Sequence, residues 1–461
     1  MYNIILILEF TNMLDFGNFK ARDCANGVGR RSFLKTASAL PFAFGAGYGG
    51  VDLEAARKLG DRAKAKSVIL LWLWGGPSHL DTFDPKPDAP MEYRGPFGVI
   101  PTKTDGLQVT ELLPQLAKRS HLYSVIRSMQ TTNGGHPGAG TVGLTGFEEN
   151  PTVHPNFGSI MSKHRGRSGA LPPFFYLGQG IPRDLPRRIE GYGGGTLGKA
   201  YDPFLVSCSE NGKVGIPTLD LLPGMTPNRI HNRRGLMAQL DDTSRKLDGD
   251  GVDGWNQAHH AAYGLLTDPK ARDSFDLTTE SQSTRDAYGQ TSFGQSCLLA
   301  RRLVETGVPY VQVNWSEYVE TFTPNGDFGW DTHIYNFELL QDRHCPIFDR
   351  AFSALLDDMN SRGLLEDTLV IATGEFGRTP KISNRAAREH HKDCYFSVWA
   401  GAGIQPGRVI GESDKRGEHP VTEPITPLMM GTTIAELSGI GARERAEMKV
   451  LDGGSVINEL L

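Results

Sequence analysis

Short apolar runs separated by amphipathic stretches set the pattern of the chain. Ser67–Trp74, reading Ser-Val-Ile-Leu-Leu-Trp-Leu-Trp, is apolar without alternation, has the length of a strand and stops at Gly75-Gly76-Pro77. Such a run predicts a strand buried on both faces. Runs of the same kind at Leu122–Ile126, Phe174–Leu177, Val308–Trp315, Thr368–Thr373 and Tyr395–Ala400 predict further strands. Between them the period changes. Phe348, Phe352, Leu355, Leu356 and Met359 fall at i, i+4, i+7, i+8 and i+11, so a helix with one apolar face is expected over about Phe337–Arg362. Ser292–Thr306 predicts a helix leading into the Val308 run, and Glu111–Arg119 a shorter one before Leu122. This alternation predicts an α/β fold, a mainly parallel sheet sandwiched by helices.

Residues 180–290 read differently, with a glycine-rich turn at Gly191–Gly198, a polar helix near Arg229–Leu247 and few buried runs. They are expected to form an insertion or cap on one main domain spanning 66–461. The chain has 461 residues, 39% hydrophobic and 22% charged, the composition of a soluble globular protein with a sizeable core. A formal charge of -5 without a long basic run argues against a nucleic-acid partner. The apolar stretch Met1–Phe10 is too short to cross a bilayer, and no transmembrane helix is expected in the mature chain. Cys208, Cys297, Cys345 and Cys394 are scattered without Cys-x-x-Cys spacing, as buried small apolar residues would be rather than a zinc ribbon or a dense disulfide framework, with one or two disulfides as the alternative in an oxidising compartment.

Gly29-Arg30-Arg31-Ser32-Phe33-Leu34-Lys35, followed by the small and apolar Thr36–Gly50, fits a twin-arginine export signal within residues 1–50. The expected location is periplasmic or otherwise exported. That route carries folded proteins, which suits a domain that acquires a metal before export. The long stretch ahead of Arg30 suggests a true start downstream of Met1. Without a clean Ala-x-Ala site, either the mature end lies around Val51–Lys66 or the leader stays as an anchor.

Two familiar loops fail on inspection. Gly193–Lys199 fits the glycines and lysine of a phosphate loop, but Ala200 stands where a hydroxyl is needed and no buried strand precedes it. Asp248, Asp250 and Asp253 break calcium-loop spacing, with His259 in place of the final glutamate.

In a parallel α/β sheet, ligands gather beyond the carboxyl ends of the strands. Four predicted loops carry carboxylates and imidazoles there: Gly75–Asp81 with His79, Gly134–Gly138 with His136, Gly329–His333 with Asp331, and Arg388–Asp393 with His390 and His391. Such side chains from separate strand ends are the usual supply for a zinc or manganese site. Each also has a structural reading: Asp81 and Asp84 could cap the turn at Pro85, Asp331 could cap the following helix, and Arg378 could pair with Glu375.

Taken together, Arg30-Arg31, Gly75–Pro87, Leu144-Thr145-Gly146, Gly329–His333, Gly374–Pro380 and His390-His391 resemble the bacterial family called domain of unknown function 1501, over nearly the whole mature chain. That family resembles sulfatases and alkaline phosphatases in its order of parts. The resemblance implies an alkaline-phosphatase/sulfatase-like fold, a divalent ion (zinc, calcium or manganese) and hydrolysis of a sulfate or phosphate ester on a small molecule or polysaccharide. By the same resemblance Asp81 matches the first metal carboxylate, Asp331 and His333 the later Asp/His pair, Glu375 the late aspartate, and His390 or His391 the last histidine. Arg378 could then bind two oxyanion oxygens and Lys392 offset developing charge. His136 stands at the position of the sulfatase nucleophile, as ligand, general acid/base or nucleophile, the ligand role being favoured. The alternative is a non-catalytic relative that binds an anionic glycan or a protein partner, supported by the lack of Ser, Thr or Cys at 136 and by Glu375-Phe376 in the late motif.

Overall fold

The computed structural model describes residues 64–461 except 137, 149–152, 168, 179–190, 217–267, 316–328 and 385. The Arg30-Arg31 motif, the expected Arg229–Leu247 helix and the Asp248 turn lie outside the described residues. A compact unit spans Gly60–Leu461. Its first strands are β1 (Ser67–Trp72), β2 (Val99–Pro101), β3 (Gln108–Thr110), β4 (Tyr123–Met129), β5 (Phe174–Gly178), β6 (Phe204–Cys208) and β7 (Val214–Gly215). Then come β8 (Tyr310–Asn314), β9 (Thr368–Thr373), β10 (Gly377–Arg378), β11 (His390–His391), β12 (Tyr395–Ala400) and β13 (Val409–Ile410).

Nine of these form one sheet in the order β13-β4-β12-β9-β1-β8-β5-β6-β7. It is mainly parallel; β12 runs antiparallel to both β4 and β9, and β7 antiparallel to β6. Residues of β1 explain its unbroken apolar run. Val68, Leu70, Trp72 and Trp74 enter one core, and Ile69, Leu71 and Leu73 the other, so both faces are dry. Helices Ser292–Glu305 and Cys345–Ser361 supply the second core, and helices Phe157–Arg165 and Pro427–Leu437 the first. Trp72 pairs with Asn314 of β8 and Thr373 of β9, which brings the carboxyl ends of the three central strands to one edge.

Two local features aim loops at that edge. Helix Gly138–Thr145 lies against Trp72 of β1 and Trp74 just beyond it, close enough that a Cβ on Gly140 would come within 2.0 Å of the Trp74 ring. Glycine is needed for that approach, and it carries His136, just before the helix, over the end of β1. The helix expected over Phe337–Arg362 is divided into Asn336–Leu339, a π-turn at Leu340–His344, and Cys345–Ser361. Pro346 supplies no backbone N–H, so the regular ladder cannot run through it. The π-turn presents His344, whose ring contacts Leu339 O at 3.0 Å and Gly329 O at 3.1 Å, pinning the start of the Gly329–His333 loop.

The described part of 180–290 contributes β6 and β7 to the sheet edge and packs helices Pro269–Phe275 and Gln282–Tyr288 on Ser292–Glu305. Cys208, Cys297, Cys345 and Cys394 are buried and free. No helix among the described residues is long and apolar enough to cross a membrane.

Candidate metal centre

The centre begins where β1 ends. Gly75 and Gly76 take φ of +112° and +75°, and a Cβ on Gly75 would sit 2.1 Å from the backbone nitrogen of Asp331. The two loops can touch only because no side chain intervenes. Arg378, on β10, locks them together. Its wholly buried guanidinium donates to Gly76 O at 3.0 Å, to Trp330 O at 3.1 Å, to Gly75 O and to the Asp331 carboxylate.

Asp331 Oδ1 is the point of convergence. His333 Nε2 lies 2.9 Å from it, His390 Nε2 3.1 Å and His136 Nε2 3.6 Å. The far nitrogens of the rings face oxygens: His390 Nδ1 is 2.9 Å from Gly134 O, His136 Nδ1 is 2.8 Å from Glu375 Oε1, and His333 Nδ1 contacts Glu389 Oε2. Glu375 is itself fixed by the Gly75 N–H at 2.9 Å. This is the arrangement in which an outer oxygen holds a histidine so that its other nitrogen is free for a cation.

The geometry makes an electrostatic demand. If each Nδ1–H donates outward, three Nε2 lone pairs face one carboxylate oxygen, and those of His333 and His390 face each other at 2.9 Å. Lone pairs so placed repel unless a cation or protons lie between them. Metal-free, the demand is met by protons. Burial alone would lower the pKa of His136, but the Asp331 and Glu375 carboxylates override it and push it up to about 9. Contact with Asp331 likewise raises His333. Burial would raise Asp331, yet the three histidines and Arg378 hold it well below the usual carboxylate range.

A divalent ion would meet the same demand. His136, Asp331 and His390 each offer a ligand atom within 4.8 Å of the others, and His333 Nε2 adjoins both Asp331 and His390. Among the described residues, His136 Nε2 is buried without an aligned hydrogen-bond partner, as is Glu375 Oε2. Orphaned polar atoms beside three imidazoles and a carboxylate fit a metal ion, nitrogen-rich in its donor set.

Five positions differ from the sequence expectation. Asp81 is not brought to the centre: it is fully buried, with Arg388 donating from Nε to Oδ2 at 2.7 Å and from Nη2 to Oδ1 at 3.1 Å. Asn336 also donates to its Oδ2 at 3.3 Å. An arginine fork has claimed both oxygens a metal would need. His391 points away because consecutive residues of a strand face opposite sides; its Nε2 contacts Glu418 O at 2.8 Å and its ring stacks on His79. Arg378 positions Asp331 and the carbonyls of Gly75 and Gly76, so its buried fork is not free for an oxyanion. Lys392 lies half-exposed, paired with Asp393 at 2.9 Å. Glu375 stands behind His136 rather than at the point of convergence.

Sequence reading missed Glu389, the partner of His333, and Arg388, the partner of Asp81. Both flank a strand of two residues, too short to display a period, and their pairing is set by long-range contacts.

Solved structures similar in arrangement include a sulfatase from Pseudoalteromonas sp., 12% identical with a TM-score of 0.34, covering 84% of this chain and 72% of that one. The phosphonate monoester hydrolase of Silicibacter pomeroyi is 12% identical with a TM-score of 0.34, covering 86% and 78%. The lipoteichoic acid synthase LtaP of Listeria monocytogenes is 9% identical with a TM-score of 0.35, covering 83% and 74%. No curated protein matches the sequence. The family model described as protein of unknown function (DUF1501) matches residues 65–461, and the chain belongs to that family.

Proposed function

We propose that the protein is a metal-dependent hydrolase of sulfate or phosphate esters, sulfatase-like in fold. The observation that carries this reading is the convergence of three imidazole nitrogens on Asp331 Oδ1, at 2.9, 3.1 and 3.6 Å, at the carboxyl ends of the central strands. His136, Asp331, His333 and His390 would hold the ion. Bound there, a divalent ion supplies polarisation of the ester oxygens and a lowered pKa for water. Arg378 keeps Asp331 in place, and Glu375 orients His136. His333, with 37% of its side chain exposed against 7% for His136 and Asp331, marks the side from which a substrate would approach.

The test is elemental analysis of the purified full chain, followed by a panel of sulfate and phosphate esters. A bound divalent ion and turnover abolished by Asp331→Ala are expected. Protein without an ion that stays inert across the panel after metal loading would overturn the proposal.

A second reading, a non-catalytic protein that binds an anionic glycan or protein partner, is favoured by one observation. Residue 136 carries no hydroxyl or thiol, and its ring is buried between Phe376 and His390, with centroids at 4.7 and 4.5 Å. Under it, His136→Ala and Asp331→Ala leave ligand binding intact. Export by the twin-arginine route is proposed on the Arg30-Arg31 motif; a reporter fused after residue 66 should stay inside cells once both arginines become lysine.

A further inference from the structure

We infer that the centre selects an ion of the zinc class over calcium and magnesium, and that Glu375 and Glu389 are the positioning carboxylates behind that selectivity. The inference rests on the reading of the centre as a cation site. Calcium and magnesium require about six or more oxygens around the ion, mostly carboxylate, carbonyl and water. Among the described residues, the carboxylate oxygen at the point of convergence is Asp331 Oδ1, and the other nearby carboxylates each give at least one oxygen to another group. Asp81 is held by Arg388. Glu375 Oε1 is taken by the Gly75 N–H and faces His136 Nδ1 at 2.8 Å, while Glu389 faces His333 Nδ1. Two carboxylates that could have served a hard cation directly stand instead one imidazole further out.

What remains at the centre is three imidazole nitrogens and one oxygen, the donor set that favours zinc over manganese and more strongly over the alkaline-earth ions. All three rings have an outer oxygen on the far nitrogen, Gly134 O serving His390. Each outer partner fixes which nitrogen is free and raises its basicity toward the ion. The two glutamates differ in setting: Glu375 is wholly buried, whereas the Glu389 side chain is 47% exposed. Substitution at Glu389 therefore separates an effect on the ion from an effect on folding.

The experiment uses the full chain, stripped with a chelator and titrated separately with zinc, calcium, magnesium and manganese, with cobalt as a spectroscopic substitute. Zinc is expected to bind most tightly, and cobalt to give the visible absorption of a nitrogen-rich centre of low coordination number. Glu389→Gln and Glu375→Gln should each weaken zinc by about 10- to 100-fold and change the cobalt spectrum. Their far-ultraviolet circular dichroism should stay as in the parent; should Glu375→Gln unfold, Glu389→Gln decides alone. Tighter binding of calcium or magnesium than of zinc, or parental zinc affinity and cobalt spectrum in Glu389→Gln, overturns the inference. Ester hydrolysis supported by calcium would overturn it and leave the proposed function standing, whereas failure to bind any of the ions would remove both.

Discussion

Two aspartates, the buried Asp81 and the partly buried Asp331, each meet a buried arginine, but with different consequences. Asp81 gives both oxygens to Arg388, which neutralises it within the fold. Asp331 shares Oδ1 between Arg378 and three imidazoles, so its surroundings carry positive charge or demand it. Removing one partner of a buried ion pair leaves an uncompensated charge and typically costs about 3–5 kcal/mol. Asp81→Asn should therefore lower unfolding stability by an amount of that order while the ion content of the folded protein stays unchanged. Urea unfolding alongside elemental analysis checks both halves; an Asp81 variant of full stability that had lost its ion would return Asp81 to the ligand set. At this scale the sequence was only partly legible. It marked Asp331, His333 and the His390-His391 pair, but the choice between the two histidines depends on the pleat of β11, and a strand of two residues carries no visible alternation.

The elements converge because particular glycines let backbones touch. Gly75 combines φ +112° with a virtual Cβ at 2.1 Å from Asp331 N, a backbone atom that cannot swing aside. Gly75→Ala should push the Asp331 loop off β1, with loss of the ion and a stability cost above the roughly 1–3 kcal/mol of the strained backbone alone. Gly106 is the matched control: its φ is +77° with nothing within 4 Å of a Cβ, so Gly106→Ala should show only the backbone cost and keep the ion. Thermal unfolding with bound metal measured on the same samples separates the two, and equal ion retention would dismiss the role given to Gly75. Strand positions were legible because burial on both faces writes a continuous apolar run, as in Thr368–Thr373 and Tyr395–Ala400. Direction was not. β12 looks like its parallel neighbours in sequence yet runs antiparallel to β9, since apolar content records burial and not polarity. The long helix was legible by period, while its interruption is set by Pro346 and by the reach of His344 to Gly329.

Across the whole molecule, two histidines, the buried His79 and the partly buried His136, tie distant segments together and respond to pH in opposite directions. His79, in the loop after β1, contacts Gly417 O at 2.8 Å, and among the described residues its Nδ1 has no hydrogen-bond partner that would stabilise a second N–H. Burial, chiefly, lowers its pKa from 6.5 to about 4. Between these values the unfolded chain binds more protons than the native protein, so stability falls as the medium is acidified. The contribution is fully present above about pH 6.5 and lost as pH falls through about 4, a change on the order of 3 kcal/mol. His136 has the reverse sign in the metal-free protein. With its pKa raised to about 9, its contribution is fully present below 6.5 and lost as pH rises through 9. Metal-free protein should thus weaken on both flanks, the acid one through His79 and the alkaline one through His136. Urea unfolding of chelator-treated protein at pH 5, 7 and 9 measures both flanks. His79→Gln should flatten the decline between pH 7 and pH 5 and leave the alkaline flank alone, because the variant removes the group that gains a proton on unfolding. An acid flank as steep in His79→Gln as in the parent would show that other groups carry it, and that the contact from the β1 loop to Gly417 holds the molecule together without sensing pH.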